Sequence, residues 1–171
     1  EIYRCAVGIV SGHSFSNIIS HNHIHHLNYS GISVGWKWGY GESVNRDNII
    51  EANDIHDIGQ GLLSDLGGIY TLGRQPGTVI RGNRISNVNS WTYGGRCIHL
   101  DEGTSDIVCE NNLFMRADVG VHQNYGKRNV IRNNIIAFNR TAFTFRKKED
   151  KDGKGSEPLI IERNIIYYTP E

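Results

Sequence analysis

The sequence is poor in the features that identify several common classes of protein. It contains only three cysteines, Cys5, Cys97 and Cys109, and their spacing matches neither a metal motif nor a paired disulfide framework. Its 18 Lys and Arg balance its 18 Asp and Glu, so it lacks the positive field with which nucleic-acid-binding proteins attract phosphate. No apolar run approaches the length of a membrane span. We therefore expect small buried cysteines, and neither nucleic acid nor a membrane as a partner.

The start of the chain, EIYRCAVGIV, lacks an initiator methionine and the charge pattern of a signal peptide. A length of 171 residues is enough for one domain with a real core. We expect a single domain over residues 1–171 that is a fragment of a longer chain, with any export signal outside it.

Internal repetition is the strongest signal in the sequence. A unit of Asn, any residue and an apolar residue recurs at Asn22, Asn53, Asn83, Asn112, Asn134 and Asn164, with spacings of 31, 30, 29, 22 and 30. A short apolar segment precedes each Asn, and a second apolar column follows it. Alternation of apolar with polar residues, rich in Ile and Val, is typical of strands, and this period is typical of a parallel β-helix.

The repeat therefore predicts an all-β solenoid, a single-stranded parallel β-helix of about six coils stacked at about 4.8 Å. We expect the repeated Asn residues to form a ladder at a sharp turn. There each Asn would adopt a left-handed backbone and bond to the coils above and below. Open ends of such a solenoid are unpaired edges, so we expect flanking domains or self-association to cover them.

Extra segments lengthen some coils on one side. The step from the ladder Asn to the second apolar column is 15 residues after Asn53 and 14 after Asn83, but 8 or 9 elsewhere. These two insertions contain DIHDIGQGLLSDLG and NVNSWTYGGR, and two further long segments contain GWKWGYGESVNR and RKKEDKDGKGSE. Loops on one side of a solenoid usually form its binding face.

Aligning the coils on the second apolar column predicts three stacked rows: an inward row of Ile69, Ile98 and Val121, an outward row of Tyr70, His99 and His122, and a row of Leu72, Asp101 and Asn124. Asp65 ends a long loop just before its strand. The alignment therefore brings Asp65 and Asp101 within about one coil of each other. Cleavage of a glycosidic bond requires two carboxylates, one to protonate the leaving oxygen and one to attack the sugar or activate water.

Asp65 and Asp101 are thus the candidate catalytic pair. For Asp65 a structural role stays open, because an Asp before a glycine often bonds to its own backbone in a turn. Tyr70, His99, His122 and Glu102 are expected to shape the pocket and bind substrate.

Two segments carry a family resemblance. SDLGGIYTLGRQPGTVIRGNRI and GGRCIHLDEGTSDIVCENNLF resemble the right-handed parallel β-helix carbohydrate-active enzymes, and most closely glycoside hydrolase family 141, which includes fucosidase and xylanase activities. The resemblance is close over about residues 48–137. It implies that Asp65 and Asp101 hydrolyse glycosidic bonds of a plant or microbial polysaccharide, in a bacterial enzyme that is secreted or periplasmic. Family enzymes are much longer than this chain.

Aromatic residues in two of the long loops are candidates for stacking on sugar rings. Trp36 and Trp38 lie in GWKWGYGE, and Trp91 and Tyr93 lie in NSWTYGG between the two acids. We expect all four to contact carbohydrate.

No metal or cofactor is expected. His21, His23 and His25 would share one face of a strand and could hold a metal, but a solvent-facing or ligand-groove role is the more common one. The Asp-x-Asp-Gly run within residues 146–158 makes calcium the one candidate ion, although the rest of a calcium loop is missing. A solvated charged loop is expected there.

Two other functions fit the same fold. A polysaccharide lyase or epimerase would need cations beside a uronate, and only Arg74 and Arg96, with no Lys, are near the acids in the alignment. A non-catalytic carbohydrate-binding solenoid is the second alternative, because fold does not imply function.

Overall fold

The computed structural model describes residues 1–148 and 155–168, and every regular element in them is a β-strand. In chain order the strands are β1 (Ile2–Tyr3), β2 (Ile9–Gly12), β3 (Ile18–Ser20), β4 (His23–Leu27), β5 (Ile32–Gly35), β6 (Ile49–Glu51), β7 (Asp54–Ile58), β8 (Leu66–Arg74), β9 (Val79–Arg81), β10 (Arg84–Val88), β11 (Gly95–Ser105), β12 (Val108–Glu110), β13 (Leu113–Ala117), β14 (Val119–Gln123), β15 (Gly126–Lys127), β16 (Val130–Arg132), β17 (Ile135–Ala137), β18 (Thr141–Phe145), β19 (Ile160–Glu162) and β20 (Ile165–Tyr167). Most are short and rich in β-branched residues, which pack well on a pleated surface. None of the described residues belongs to a helix that could cross a membrane.

The strands form three parallel sheets, and each coil of the chain adds one strand to each of them. Sheet I has the order β1-β4-β7-β10-β13-β17-β20, sheet II the order β2-β5-β8-β11-β14-β18, and sheet III the order β3-β6-β9-β12-β16-β19. The short strand β15 also pairs with β11. This arrangement is the predicted parallel β-helix.

The core is a set of aliphatic columns that run along the solenoid axis. In sheet II, Ile32, Ile69, Ile98 and Val121 are paired in register and fully buried. This confirms the inward row of the alignment. Equivalent columns line the inner faces of the other two sheets, and Cys97 and Cys109 are buried within the same core.

The predicted Asn ladder is present at the corner between sheets III and I. Each ladder Asn donates through its side-chain Nδ2, at 2.9–3.0 Å, to Oδ1 of the ladder Asn in the next coil. Its backbone N–H donates to the same Oδ1. The backbone expectation was wrong, because the residue before each ladder Asn, not the Asn, has the left-handed φ of 51–62°. That residue turns the chain, so the ladder Asn can point its amide along the axis.

The last described coil leaves apolar side chains uncovered. Ile160, Ile161, Ile165 and Ile166 are all more than two-fifths exposed. Coverage of this face by self-association or a further domain stays a prediction. The predicted calcium segment includes Asp150, Asp152 and Gly153, which lie outside the described residues.

Candidate active site

The outer face of sheet II carries the predicted row of polar and aromatic side chains. The strand register places Ser33, Tyr70, His99, His122 and Thr144 side by side across five successive coils. Tyr70 and His99 meet edge to face with ring centroids 4.7 Å apart. Because every strand is parallel and in register, three of the predicted binding residues lie on one continuous surface.

Asp101 is the most enclosed carboxylate on this surface, with only 6% of the residue exposed. Its Oδ2 accepts the Tyr70 hydroxyl, and its Oδ1 accepts Nδ2 of Asn124 at 2.8 Å. Nε2 of His99 lies 3.5 Å from the same Oδ1. Three side chains from three coils therefore converge on one carboxylate.

These neighbours keep Asp101 ionised. Burial alone would raise the pKa of Asp101, but hydrogen bonds from His99, Tyr70 and Asn124 outweigh it and hold the pKa well below 3.8. Burial and the bond to Asp101 raise the pKa of the Tyr70 phenol far above 10, so Tyr70 remains a donor. The site therefore presents a permanent, preorganised negative charge.

Asp65 lies at the rim of the same surface, with its backbone fixed and its side chain about half exposed. Its backbone N–H donates to the carbonyl of Tyr93 at 3.1 Å, and its carbonyl accepts the Tyr29 hydroxyl at 2.8 Å. The residue has a left-handed φ of 61°, which is uncommon outside glycine. The main chain of Asp65 thus shapes the loop, while its half-exposed carboxylate faces the site and accepts from Arg96.

Arg96 joins the two acids. Its Nη1 donates to Oδ1 of Asp65 at 2.7 Å and to Nδ1 of His99 at 3.1 Å. Because arginine can only donate, His99 accepts through Nδ1 and carries its proton on Nε2, which faces Asp101. Burial lowers the pKa of His99, and the positive charge of Arg96 lowers it further, against the opposing bond to Asp101. The imidazole is therefore neutral and has one tautomer.

A cleft of about 340 Å³ opens above this chain of contacts. It is lined by Asp65, Tyr93, Arg96, His99, Glu102, His122, Asn124 and Arg146. Asp101 does not line it and lies beneath, in contact with His99 and Asn124. A larger cleft of about 510 Å³ surrounds Asn139 near the last coil, but none of the predicted site residues lines it. Only the smaller one combines carboxylates, imidazoles and cations.

The two predicted insertions stack on each other and form one wall of this cleft. Gly61 donates to the carbonyl of Asn89 at 3.0 Å, and Trp91 donates to the carbonyl of Leu63 at 2.8 Å. Tyr93 lines the cleft beside Asp65, and its side chain is well exposed. Trp91 is 71% exposed at the outer edge of the wall. These aromatic faces are available to a ligand.

The loop after β5 crosses the opposite ends of strands β8 and β11. The positions of Gly73 and Gly103 have no space for a Cβ because the carbonyls of Lys37 and Gly39 pass over them. Trp36 stacks on Tyr70 with centroids 6.4 Å apart, and Trp38 is exposed. Neither tryptophan lines the cleft, so their contact with carbohydrate stays a prediction.

Glu102 faces the cleft and accepts the Tyr125 hydroxyl at 2.7 Å. It also lines an adjoining cleft of about 200 Å³ together with Asn124, Tyr125, Arg146, Lys147 and Lys148. The two clefts share three residues and form one continuous groove. Glu102 is therefore the carboxylate that connects the two halves of the groove.

The cationic side of this groove was missed from the sequence. Arg146 and Lys148 belong to a segment expected to be a solvated loop. In the structure Thr144 pairs with His122, so two residues further on Arg146 stacks on Asn124. Arg146 therefore extends the row of Leu72, Asp101 and Asn124 by one coil. Extending the coil alignment by one coil would have found it. Arg74 is not at the site, because it pairs with Asp106 at 3.4 Å. Among the described residues, no lysine lines the cleft that contains Asp65, whereas Lys147 and Lys148 line the adjoining cleft with Glu102.

The predicted histidine cluster also differs from expectation. His21 lies in the turn before β4 with a left-handed φ of 56°, so only His23 and His25 share a strand face. That face belongs to sheet I, whereas the groove lies on sheet II. The histidines therefore do not contribute to the ligand groove.

The buried imidazoles predict a stability that falls with acid. Burial, with the charge of Arg96, lowers the pKa of His122 from 6.5 to about 3. Between these values the unfolded chain binds a proton that the folded chain does not, so stability is lost as pH falls below about 6.5. From pH 7 to pH 5 we expect His122 to cost about 1 kcal/mol, since partial exposure screens the effect.

Urea unfolding at the two pH values measures this loss. His122→Gln, which keeps a hydrogen-bonding group beside Thr144, should flatten the dependence on pH. His13→Gln removes an exposed histidine and should leave the dependence unchanged. Equal slopes for His122→Gln and the parent chain would contradict the prediction.

Comparison with known proteins identifies the architecture. A family model described as a right handed beta helix region matches residues 8–169. No curated protein and no solved structure matches the chain.

Proposed function

The chain belongs to the right-handed β-helix family, and from the groove on sheet II we propose that it is a glycoside hydrolase acting on a plant or microbial polysaccharide outside the cytoplasm. The observation that carries this proposal is the pair of carboxylates, one enclosed and one at the rim, that Arg96 and His99 connect. The resemblance of two segments to glycoside hydrolase family 141 supports the same assignment.

The surroundings of the two acids favour different roles for them. Asp101 is held ionised by its three donors, so it needs no prior deprotonation, and we assign it the proton that the attacking water gives up. Asp65 is about half exposed at the rim, where, once it takes a proton from solvent and releases Arg96, it can donate that proton to the oxygen of a leaving group. Neutral His99 and the Tyr70 hydroxyl hold Asp101 in place, and Tyr93 offers a ring face to a sugar.

The spacing of the acids predicts inversion of anomeric configuration. Asp65 precedes Leu66, which pairs with Gly95, whereas Asp101 lies six residues beyond Gly95 on β11. Arg96 contacts Asp65, and His99 contacts Asp101, so the two carboxyl groups are separated by a chain of contacts and do not meet. Retaining enzymes place their carboxyl groups only about 5 Å apart, and inverting enzymes leave room for a water. Proton NMR of the first product should show the inverted anomer, and a retained anomer would contradict this geometry.

The loss of rate on removing the general acid should depend on the leaving group. Asp65→Ala should slow cleavage of a natural polysaccharide by about 10²-fold or more, because the departing alcohol needs a proton. It should slow a dinitrophenyl glycoside far less, since that phenolate leaves without one. The matched control is Asp47→Ala, an exposed acid on another corner, which should leave both rates unchanged. Equal losses of cleavage rate on both substrates would show that Asp65 is not the general acid.

A uronate-cleaving lyase or epimerase is the second candidate, and the cations of the groove favour it. Arg96, Arg146 and Lys148 line the groove and could neutralise the carboxylate of a uronic acid. A lyase releases an unsaturated sugar that absorbs in the ultraviolet, whereas a hydrolase releases a saturated reducing end. Incubation with uronan and with neutral glycans therefore separates the two chemistries.

A further inference from the structure

The outer face of sheet I carries a compact group of imidazoles and carboxylates, separate from the groove on sheet II. His23 and His25 of β4 pair in register with Asp54 and His56 of β7, which places four potential ligands at the corners of one square. Nε2 of His23 lies 2.8 Å from Nε2 of His56. One ligand atom each from His23, Asp54 and His56 lies within 4.8 Å of the others.

Hydrogen bonds behind His56 orient it as metal-binding histidines are oriented. Nδ1 of His56 lies 2.7 Å from Oδ2 of Asp57, and Asp57 is itself held by Nδ2 of Asn87 at 3.0 Å. A carboxylate that accepts the proton of one ring nitrogen leaves the other nitrogen with its lone pair outward. In His56 that nitrogen is Nε2, which faces His23.

Asp54 contributes an oxygen with no other role. Its Oδ1 is buried and has no hydrogen-bond partner among the described residues, while Oδ2 lies 3.5 Å from Nη1 of Arg84. A buried carboxylate oxygen without a partner is costly. A bound cation would satisfy it.

We propose that His23, Asp54 and His56 form a zinc site that joins two successive coils of the solenoid. Imidazole and carboxylate are ligands that Zn²⁺ takes at about 2.0–2.2 Å, in tetrahedral geometry. Two nitrogens on one tetrahedral zinc lie about 3.3 Å apart, so the observed 2.8 Å requires only a small opening. Water is available for the fourth position, because the ring nitrogens of His25, which stacks on His56 with centroids 5.2 Å apart, already contact His26 at 2.7 Å and Glu1 at 2.9 Å.

The sequence did not predict this site, because its ligands come from two coils that are about 30 residues apart. Only the register of β4 against β7 brings them together. The site is independent of the proposed hydrolase, so the failure of one proposal leaves the other unaffected.

Titration calorimetry with zinc chloride on the chain without an affinity tag tests the proposal. We expect one zinc per chain and a raised midpoint of thermal unfolding, because the ion binds only the folded arrangement. His56→Gln should weaken binding at least tenfold. Asp57→Asn should weaken it about tenfold while the stoichiometry stays at one, because Asp57 only orients the ring. Calcium, which prefers oxygen ligands, should not bind there.

The matched control is His21→Gln, which removes a histidine two residues from His23 that contacts none of these ligands. It should leave the zinc affinity unchanged. The three substituted residues are exposed or only partly buried, so circular dichroism should show that each variant keeps the parent fold. The absence of saturable zinc binding, or equal losses for His21→Gln and His56→Gln, would overturn the proposal.

Discussion

Replacing Asp101 with asparagine should reduce kcat on a cleaved glycan by about 10³-fold while the chain stays folded. The amide is nearly isosteric with the carboxylate but carries no charge and cannot accept a proton from water. General base catalysis contributes about 10²–10⁴-fold, so its loss should dominate. The asparagine NH₂ group would also face one of the donors from Tyr70, Asn124 or His99, so that hydrogen bond is lost. The preorganised negative charge is lost as well.

The substrate for this measurement comes from a screen of aryl glycosides and plant cell-wall polysaccharides against the parent chain. Asp106→Asn is the matched control. Asp106 is also a partly buried carboxylate, in the turn that follows β11, but it binds Arg128 at 2.6 Å and Arg74 at 3.4 Å and does not line the groove. It should keep its full kcat, although the loss of two ion pairs lowers stability.

The result also decides which carboxylate acts as the base. Glu102 faces the groove, whereas Asp101 lies beneath it. If Glu102→Gln loses activity and Asp101→Asn does not, Asp101 only positions His99 and the proposed assignment is wrong. If no substrate is cleaved but a glycan binds, the non-catalytic carbohydrate-binding solenoid is the better description of this chain.

Replacing Asn83 with alanine should lower the free energy of unfolding by about 3–4 kcal/mol, the largest stability effect we expect from a polar residue. Its Nδ2 donates to Oδ1 of Asn112 and to the carbonyl of Ile50, and its Oδ1 accepts from the backbone and side chain of Asn53. Each bond contributes about 1 kcal/mol, and each buried group left without a partner costs about 1–3 kcal/mol. Alanine therefore leaves donors and acceptors unpaired in three consecutive coils.

Urea unfolding followed by circular dichroism measures this loss. Asn111→Ala is the control, because Asn111 is the exposed left-handed residue beside ladder residue Asn112. Asparagine tolerates that backbone better than alanine does, so we expect a cost below about 1 kcal/mol there. Similar losses at Asn83 and Asn111 would show that the turn backbone, not the ladder, provides the stability.

Much of the fold could be predicted from the sequence, because a solenoid repeats one local pattern. Stacked coils place equivalent positions one above another, so the Asn spacing alone located the ladder and the inward row of Ile69, Ile98 and Val121. The same alignment placed Tyr70, His99 and Asp101 on one outer surface. The turn backbone was predicted wrongly. Asn tolerates a left-handed φ, but that propensity does not determine whether the Asn or the residue before it adopts the left-handed conformation.

The sequence by itself thus determined the parallel β-helix, its ladder and the row that carries the candidate acids, because local alternation and a constant period encode them. Only the tertiary structure decided which side chains meet between coils of unequal length. It placed Arg96 between Asp65 and His99, enclosed Asp101 beneath the cleft, and brought Arg146 into the groove. Long side chains and inserted loops reach across the repeat, and their contacts depend on three-dimensional packing that no period describes.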